Sequence, residues 1–340
     1  MRRRLRFLVG LALGGGALAV GLQFVGTDAV VASARRLAPW ALAVVAVLVA
    51  AEAVVDGLGV WASARPLAGG LSAADSVKFA LAGDFFDTVS PAGPVSSEPV
   101  VARFLAVETD TGYADALGVR STAKYVKSGT QLLASLALGG VVLLGVGATG
   151  PSSTAVLTVL GGAAVLLVAG GVVVVRARAP LSRGVVAVLT PTLGRGARLL
   201  GREPPTRAAV EAAVDRFWGR ALVFGARPRL LAAIALAGVA EQLLAASTLW
   251  VALVAADVTA PLSAVAAVVP LTRVASVVPV PGSLGAYDLL LVGALVAVVA
   301  VPTAPATAAV LVVRAAALPF ALVAGGVAVA FLRGWRPTNG

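Results

Sequence analysis

Two carboxylates sit where carboxylates are costly, and each follows a proline by seven positions. "SPAGPVSSEPV" (90–100) and "VPGSLGAYDLL" (280–290) align without a gap, Pro91 on Pro281 and Glu98 on Asp288, each pair 190 residues apart. Both stretches lie in strongly apolar surroundings, where an ionisable group is a functional candidate once a partner can be named. Other such groups are Glu52, Asp56, Asp84, Asp87, Arg103, Glu241, Arg273 and Arg314. Arginines beside the N-terminal amides of broken helices offer a field for an anion, above all a phosphate. Nearby carboxylates can hold those arginines when no anion is bound, or carry protons.

The expected substrate-binding set is therefore Arg273, Arg314 and Arg103 with the loop residues Ser96, Ser97, Gly282 and Ser283. The expected coupling or gating set is Glu98, Asp288, Glu241, Asp84 and Asp87. The competing reading makes the charges structural ion pairs that fix helix register. Glu52 and Asp56, four apart on one helical face, lean that way, with Arg65 available near the interface. Lys124 and Lys127 read as helix-start lysines that snorkel to headgroups.

Enzyme chemistry finds little support. The chain has no cysteine and no histidine, which removes thiolate metal sites and the usual general base at neutral pH. The acid-rich loop "ETDTGYAD" (108–115) lacks the compact spacing that would hold metal and diphosphate, and no glycine-rich phosphate loop stands between strand and helix. No catalytic residue, metal or cofactor is expected.

The elements that must position these charges are membrane helices. Of 340 residues 59% are hydrophobic and 13% charged, and mean hydropathy is +0.97. Apolar runs near the length that crosses hydrocarbon fall at roughly 5–26, 40–62, 124–148, 153–175, 229–255 and 304–332. The first has a basic start like a signal peptide, but its apolar run is long for a cleaved one and it reads as a retained helix. Two further regions, 72–107 and 261–301, are apolar but interrupted by Pro, Gly and acids. Arginines in "MRRRLR", in 176–228 and in "RGWRP" place those segments in the cytoplasm. The topology closes if the two interrupted regions dip in from opposite faces and return. Broken backbone at membrane depth is tolerated only inside protein or beside a wet cavity. Paired interrupted segments in two halves point to an inverted repeat with its site between them. The alternative is a pair of proline-kinked ordinary spans.

The fold expected is an all-α polytopic membrane protein, with about six spanning helices and two oppositely oriented re-entrant hairpins forming an inverted repeat. It is read as one membrane domain over 1–340. The first half is 1–175 with its hairpin at 72–107, and the second 229–340 with its hairpin at 261–301. Between them, 176–228 is a cytoplasmic basic amphipathic segment. In it "TRAAVEAAVDRFWGRALVFG" reads as an interfacial helix with Trp218 at headgroup depth.

At the two broken loops the chain resembles the flippase-like membrane family that includes the N-terminal membrane half of lysylphosphatidylglycerol synthases. The second-half loop is close to the family pattern in Pro279, Pro281, Gly282, Leu284 and Gly285, with Asp288 for the usual Glu. The first keeps Pro91, Gly93 and Glu98 but has Ser96 and Ser97 for a glycine pair. Arg103 lies farther from the acid than the family's basic residue, and "KYVKSG" replaces its Arg-and-Asp signature. The resemblance implies lipid translocation or a related membrane-lipid role, and no aminoacyl transfer is carried over.

The expected function is movement of an anionic phospholipid or lipid-linked headgroup across the cell membrane. The alternatives are a secondary carrier of a small solute or ion, and a non-transporting accessory of lipid-linked glycan or lipid modification. Membrane lipids are the expected partners, not nucleic acid, since excess arginine in such a chain serves cytoplasmic loops and anionic headgroups. Small-residue steps such as Gly10/Gly14 can pack helices within the chain or between copies in a homo-oligomer.

Overall fold

Prolines set several of the helix starts. Helix α1, Pro39–Ala64, and the later Pro228–Ala255 both begin on a proline, whose missing N–H is no loss in a first turn. Helix α2, Ala73–Val89, starts on a cap instead: Ser72 Oγ accepts from Asp75 N at 3.1 Å and donates to the Asp75 carboxylate at 2.7 Å. Hydrogen bonds from Lys78 and Ser72 hold the Asp75 carboxyl below its usual range. α2 stops at Ser90 because the residue before a proline is pushed out of helical geometry.

In the computed structural model the chain is all-helical, with no strand among the described residues. Those residues are 38–90, 93–146, 151–199, 201, 203–270 and 286–333, with Leu8. After α1 and α2 come α3 (Gly93–Glu108), α4 (Tyr113–Val146), α5 (Pro151–Arg176), α6 (Arg178–Leu199) and α7 (Arg207–Ala221). A 3₁₀ turn, Leu222–Ala226, leads to α8 (Pro228–Ala255), α9 (Leu262–Val268), α10 (Ala286–Val298) and α11 (Thr303–Ala330).

Among the described residues three helices, α1, α8 and α11, are long and apolar enough to cross a membrane, and the bent pair α5–α6 adds a fourth if counted as one span. The apolar run 5–26 lies outside the described residues. The run at 124–148 belongs to a longer helix, α4, which begins at Tyr113. Lys124 and Lys127 are therefore interior to α4 and not at a helix start. Its true start carries Asp115 in the first turn.

Two apolar clusters mark opposite ends of the bundle. One gathers Ala64, Leu67, Leu71, Phe79, Leu105, Ala116, Phe224, Ile234, Val329 and Leu332. The other gathers Leu249, Leu253, Val265, Leu291, Leu295, Val301, Ala306 and Val310. α8 runs from the first to the second, and α11 runs back.

α2 and α3 fold against each other, with Phe86 stacked on Phe104 at 5.7 Å. Gly69 N–H donates to Thr109 O at 3.3 Å, so the chain leaves this hairpin beside the point where it enters. Both points lie near the first cluster. Its counterpart, α9 and α10, contributes to the second cluster, at the far end. The loop between them, with Pro279 and Pro281, lies outside the described residues.

Close approach makes this packing specific. A Cβ on Gly325 of α11 would come 2.7 Å from Phe85 Cβ on α2, and one on Gly57 of α1 would come 2.7 Å from Val77 on α2. Gly325→Ala should therefore lower stability by about 1–3 kcal/mol, the usual cost of overpacking. Denaturant unfolding in detergent measures it, and an unchanged midpoint would mean that α2 and α11 can separate freely.

Candidate functional site: a charged chamber between the helices

α4 carries a polar stripe at helical spacing, Arg120, Lys124, Lys127, Gln131 and Ser135, turned into the bundle. Each member reaches another element. Arg120 grips Glu98 of α3 through two guanidinium nitrogens, Nη2 to Oε1 at 2.9 Å and Nε to Oε2 at 3.1 Å. Such a bidentate pair fixes orientation as well as charge. Lys124 lies 3.1 Å from Glu98 and 2.9 Å from Asp87 of α2. Lys127 bridges Asp56 of α1 and Glu241 of α8. Gln131 donates to Gly238 O at 3.0 Å, and Ser135 accepts from Gln242 at 2.8 Å. One helix face thus ties together α1, α2, α3 and α8.

The first turns of α3, where Ser96 and Ser97 lie in helix and not in a loop, feed this network directly. Ser97, fully buried, donates to Asp87 across the α2–α3 hairpin. Ser96 is partly buried on the same turn. Arg103 is exposed on the other side of α3 and lines neither of the two cavities described below.

In the second half Asp288, in the first turn of α10, pairs with Arg314 of α11 at 2.9 Å. The Arg314 guanidinium also lies over the Tyr287 ring, 4.5 Å from its centroid. Glu98 of α3 and Asp288 of α10 are thus each held by an arginine of the following long helix, Arg120 and Arg314. Arg273, Gly282 and Ser283 lie outside the described residues.

Between these pairs is open space. A cavity of about 210 Å³ is lined by Glu52, Asp56, Asp84, Asp87, Glu241, Arg314 and apolar residues including Val49 and Phe320. A smaller one of about 60 Å³ shares Asp56, Asp84, Asp87 and Glu241 with it and adds Arg120, Lys124 and Lys127. Together they form one chamber with carboxylates and cations on its wall. Arg314 and Glu241 both line the larger cavity. Glu98 turns to Arg120 and Lys124, Glu241 to Lys127, and Asp288 to Arg314. Among the described residues no group of acids has the arrangement to hold a metal ion.

Arg120, Lys124 and Lys127 are cations of the chamber wall that sequence reasoning did not place there. Their spacing of four and three was the available signal. It pointed to one buried face once the helix was known to start at Tyr113. Arg65 serves neither Glu52 nor Asp56, because its guanidinium stacks 4.0 Å over the Trp61 ring. The acidic loop at 108–115 is structural: Glu108 pairs with Arg333 at 3.4 Å and Asp115 with Arg220 at 2.7 Å.

No curated protein matches the chain. A family model does, the lysylphosphatidylglycerol synthase TM region, over residues 7–325. That interval takes in every residue named on the chamber wall and both broken loops, so the chain belongs to the family of the lysylphosphatidylglycerol synthase transmembrane region, a membrane domain.

Proposed function

We propose that the protein moves an anionic phospholipid, or the phosphate-bearing headgroup of a lipid-linked molecule, across the bilayer. The observation that carries this reading is Arg314. It lies on the wall of the larger cavity and is already engaged by a carboxylate that an incoming phosphate can displace. A phosphate entering the chamber takes over Arg314 from Asp288, which frees the start of α10 to move. Arg120 and Lys124 hold Glu98 in the same way at the first hairpin and serve as the opposite gate. The charges of these pairs, prohibitive in lipid, are stable here because each has its counter-ion and a wall of protein.

The hairpin arrangement supports alternating access. The α2–α3 hairpin begins and ends at one end of the bundle, while α9 and α10 pack at the other. Two re-entrant hairpins entering from opposite faces would make the halves an inverted repeat with the chamber between them. The arginine-rich α6–α7 segment and Arg333 lie with the first cluster's end, which is accordingly the cytoplasmic side.

Fluorescent phosphatidylglycerol in reconstituted liposomes, with quencher added outside, reads the movement. Arg314→Ala should slow it about tenfold, the loss of roughly one well-placed ionic contact. Asp288→Asn should slow it too, by removing the group that takes Arg314 back. Full rates in both variants would remove the pair from the mechanism. If the unaltered protein moves no lipid but takes up a small anion, the chamber is that of a solute carrier.

A further inference from the structure

Helix α6 takes no part in the chamber, and most of its apolar surface is uncovered. It leaves α5 through an 80° bend. α5 itself faces outward with Val165, Leu166 and Val173 at 66%, 75% and 60% exposure, as a lipid-facing span would. With α5 along the membrane normal, α6 lies almost in the membrane plane.

One arc of α6 is largely apolar, with Arg178 of the first turn and Thr192 also on it. Leu181, Val185, Val188, Leu189 and Leu193 share one arc of the helical wheel, and all are exposed, Val188 by 64%. Another side packs on the protein, where Val186 is buried with Val210 and Val214 of α7, under Trp218. Val210 and Val214, in the segment read from sequence as an interfacial helix, are thus covered by α6. Arg178, Arg183, Arg195 and Arg198 are exposed, and no acid occurs from 176 to 202.

We infer that α6 is an in-plane helix that docks on an anionic phospholipid surface. The apolar arc sinks to the acyl boundary, and the arginines pair with lipid phosphates. This site is separate from the chamber and holds whether or not the chamber transports lipid. A face both apolar and purely cationic is completed by acyl chains below and phosphates above. A second copy of this chain fits it poorly, since a two-fold contact would set arginines against arginines. The docked helix is also tied to the functional core. α7 carries it and is fixed to α4 by Arg220 on Asp115 at 2.7 Å and by Phe217 O packed on Gly118.

The chain has no cysteine, so single nitroxide labels report depth without background. Labels go on Val188→Cys, Val185→Cys and Arg183→Cys of the full chain, in nanodiscs of phosphatidylcholine alone or mixed with phosphatidylglycerol. In the mixed discs, labels at 185 and 188 should collide with oxygen several-fold more than with a water-soluble nickel chelate, and the label at 183 should not. Removing phosphatidylglycerol, or combining Arg183→Gln, Arg195→Gln and Arg198→Gln, should reverse that preference. Nickel dominating at 185 and 188 in every disc would overturn the proposal. So would equal depth with and without phosphatidylglycerol, or dipolar broadening between labels on different copies, which would put a second chain on this face.

Discussion

Lys127→Met is expected to be the most damaging single substitution in the chamber. Lys127 is the cation between Asp56 on α1 and Glu241 on α8, and its side chain is 14% exposed. Removing it leaves two carboxylates facing each other in a poorly solvated space. Breaking one buried pair costs about 3–5 kcal/mol, chiefly because the remaining charge is stranded. Here two charges are stranded at once, so the loss should reach at least the upper end of that range. Denaturant unfolding in detergent measures it. Adding Glu241→Gln should restore part of the lost stability, because it removes one stranded charge and keeps the shape. If the single and double variants unfold at the same point, losing Lys127 strands no charge on Glu241. α1 and α8 pack closely along this contact, with Gly238 allowing α8 to approach Lys127. A loss there should therefore also loosen the bundle.

Arg120→Gln should have the next largest effect, and it separates stability from gating. Arg120 is 6% exposed and is the bidentate partner of Glu98. The same stranded-charge argument gives a loss of about 3–5 kcal/mol, softened because Lys124 still reaches Glu98. Arg120→Gln combined with Glu98→Gln should recover most of that stability, since two amides of similar size replace the pair. Transport should not recover with it. The double variant loses both charged contacts to Glu98 and keeps only Lys124 on Asp87 at the first hairpin, so lipid movement should stay low in the liposome assay. Recovery of both would make this pair structural and leave the gating to the second half.

Much of this protein was legible from local sequence. Hydropathy summed over a window reports membrane class directly, because transferring a helix into lipid depends on its own residues. The end of α2 just before Pro91 was legible for the same reason: backbone propensity is local. Glu98, Asp288, Asp84, Asp87, Glu241 and Arg314 were singled out because a charge in an apolar run is costly wherever the run goes. The structure places five of the six on ion pairs or the cavity wall of one chamber, and Asp288 on the Arg314 that lines it.

Which charge answers which was decided only by tertiary structure. Glu98 meets Arg120, Asp56 meets Lys127 and Lys127 meets Glu241, across separations no local pattern encodes. A misplaced start for α4 turned two chamber lysines into headgroup anchors, because snorkelling and buried pairing look alike until the helix is anchored at its other end. The apolar stripe of α7 shows the same limit: an amphipathic face says that something apolar must cover it, not whether that is a neighbouring helix or a bilayer. Sequence fixes how costly each group is to bury, a property of the group alone. Only the fold settles what offsets the cost, because pairing is a property of distance between residues far apart along the chain.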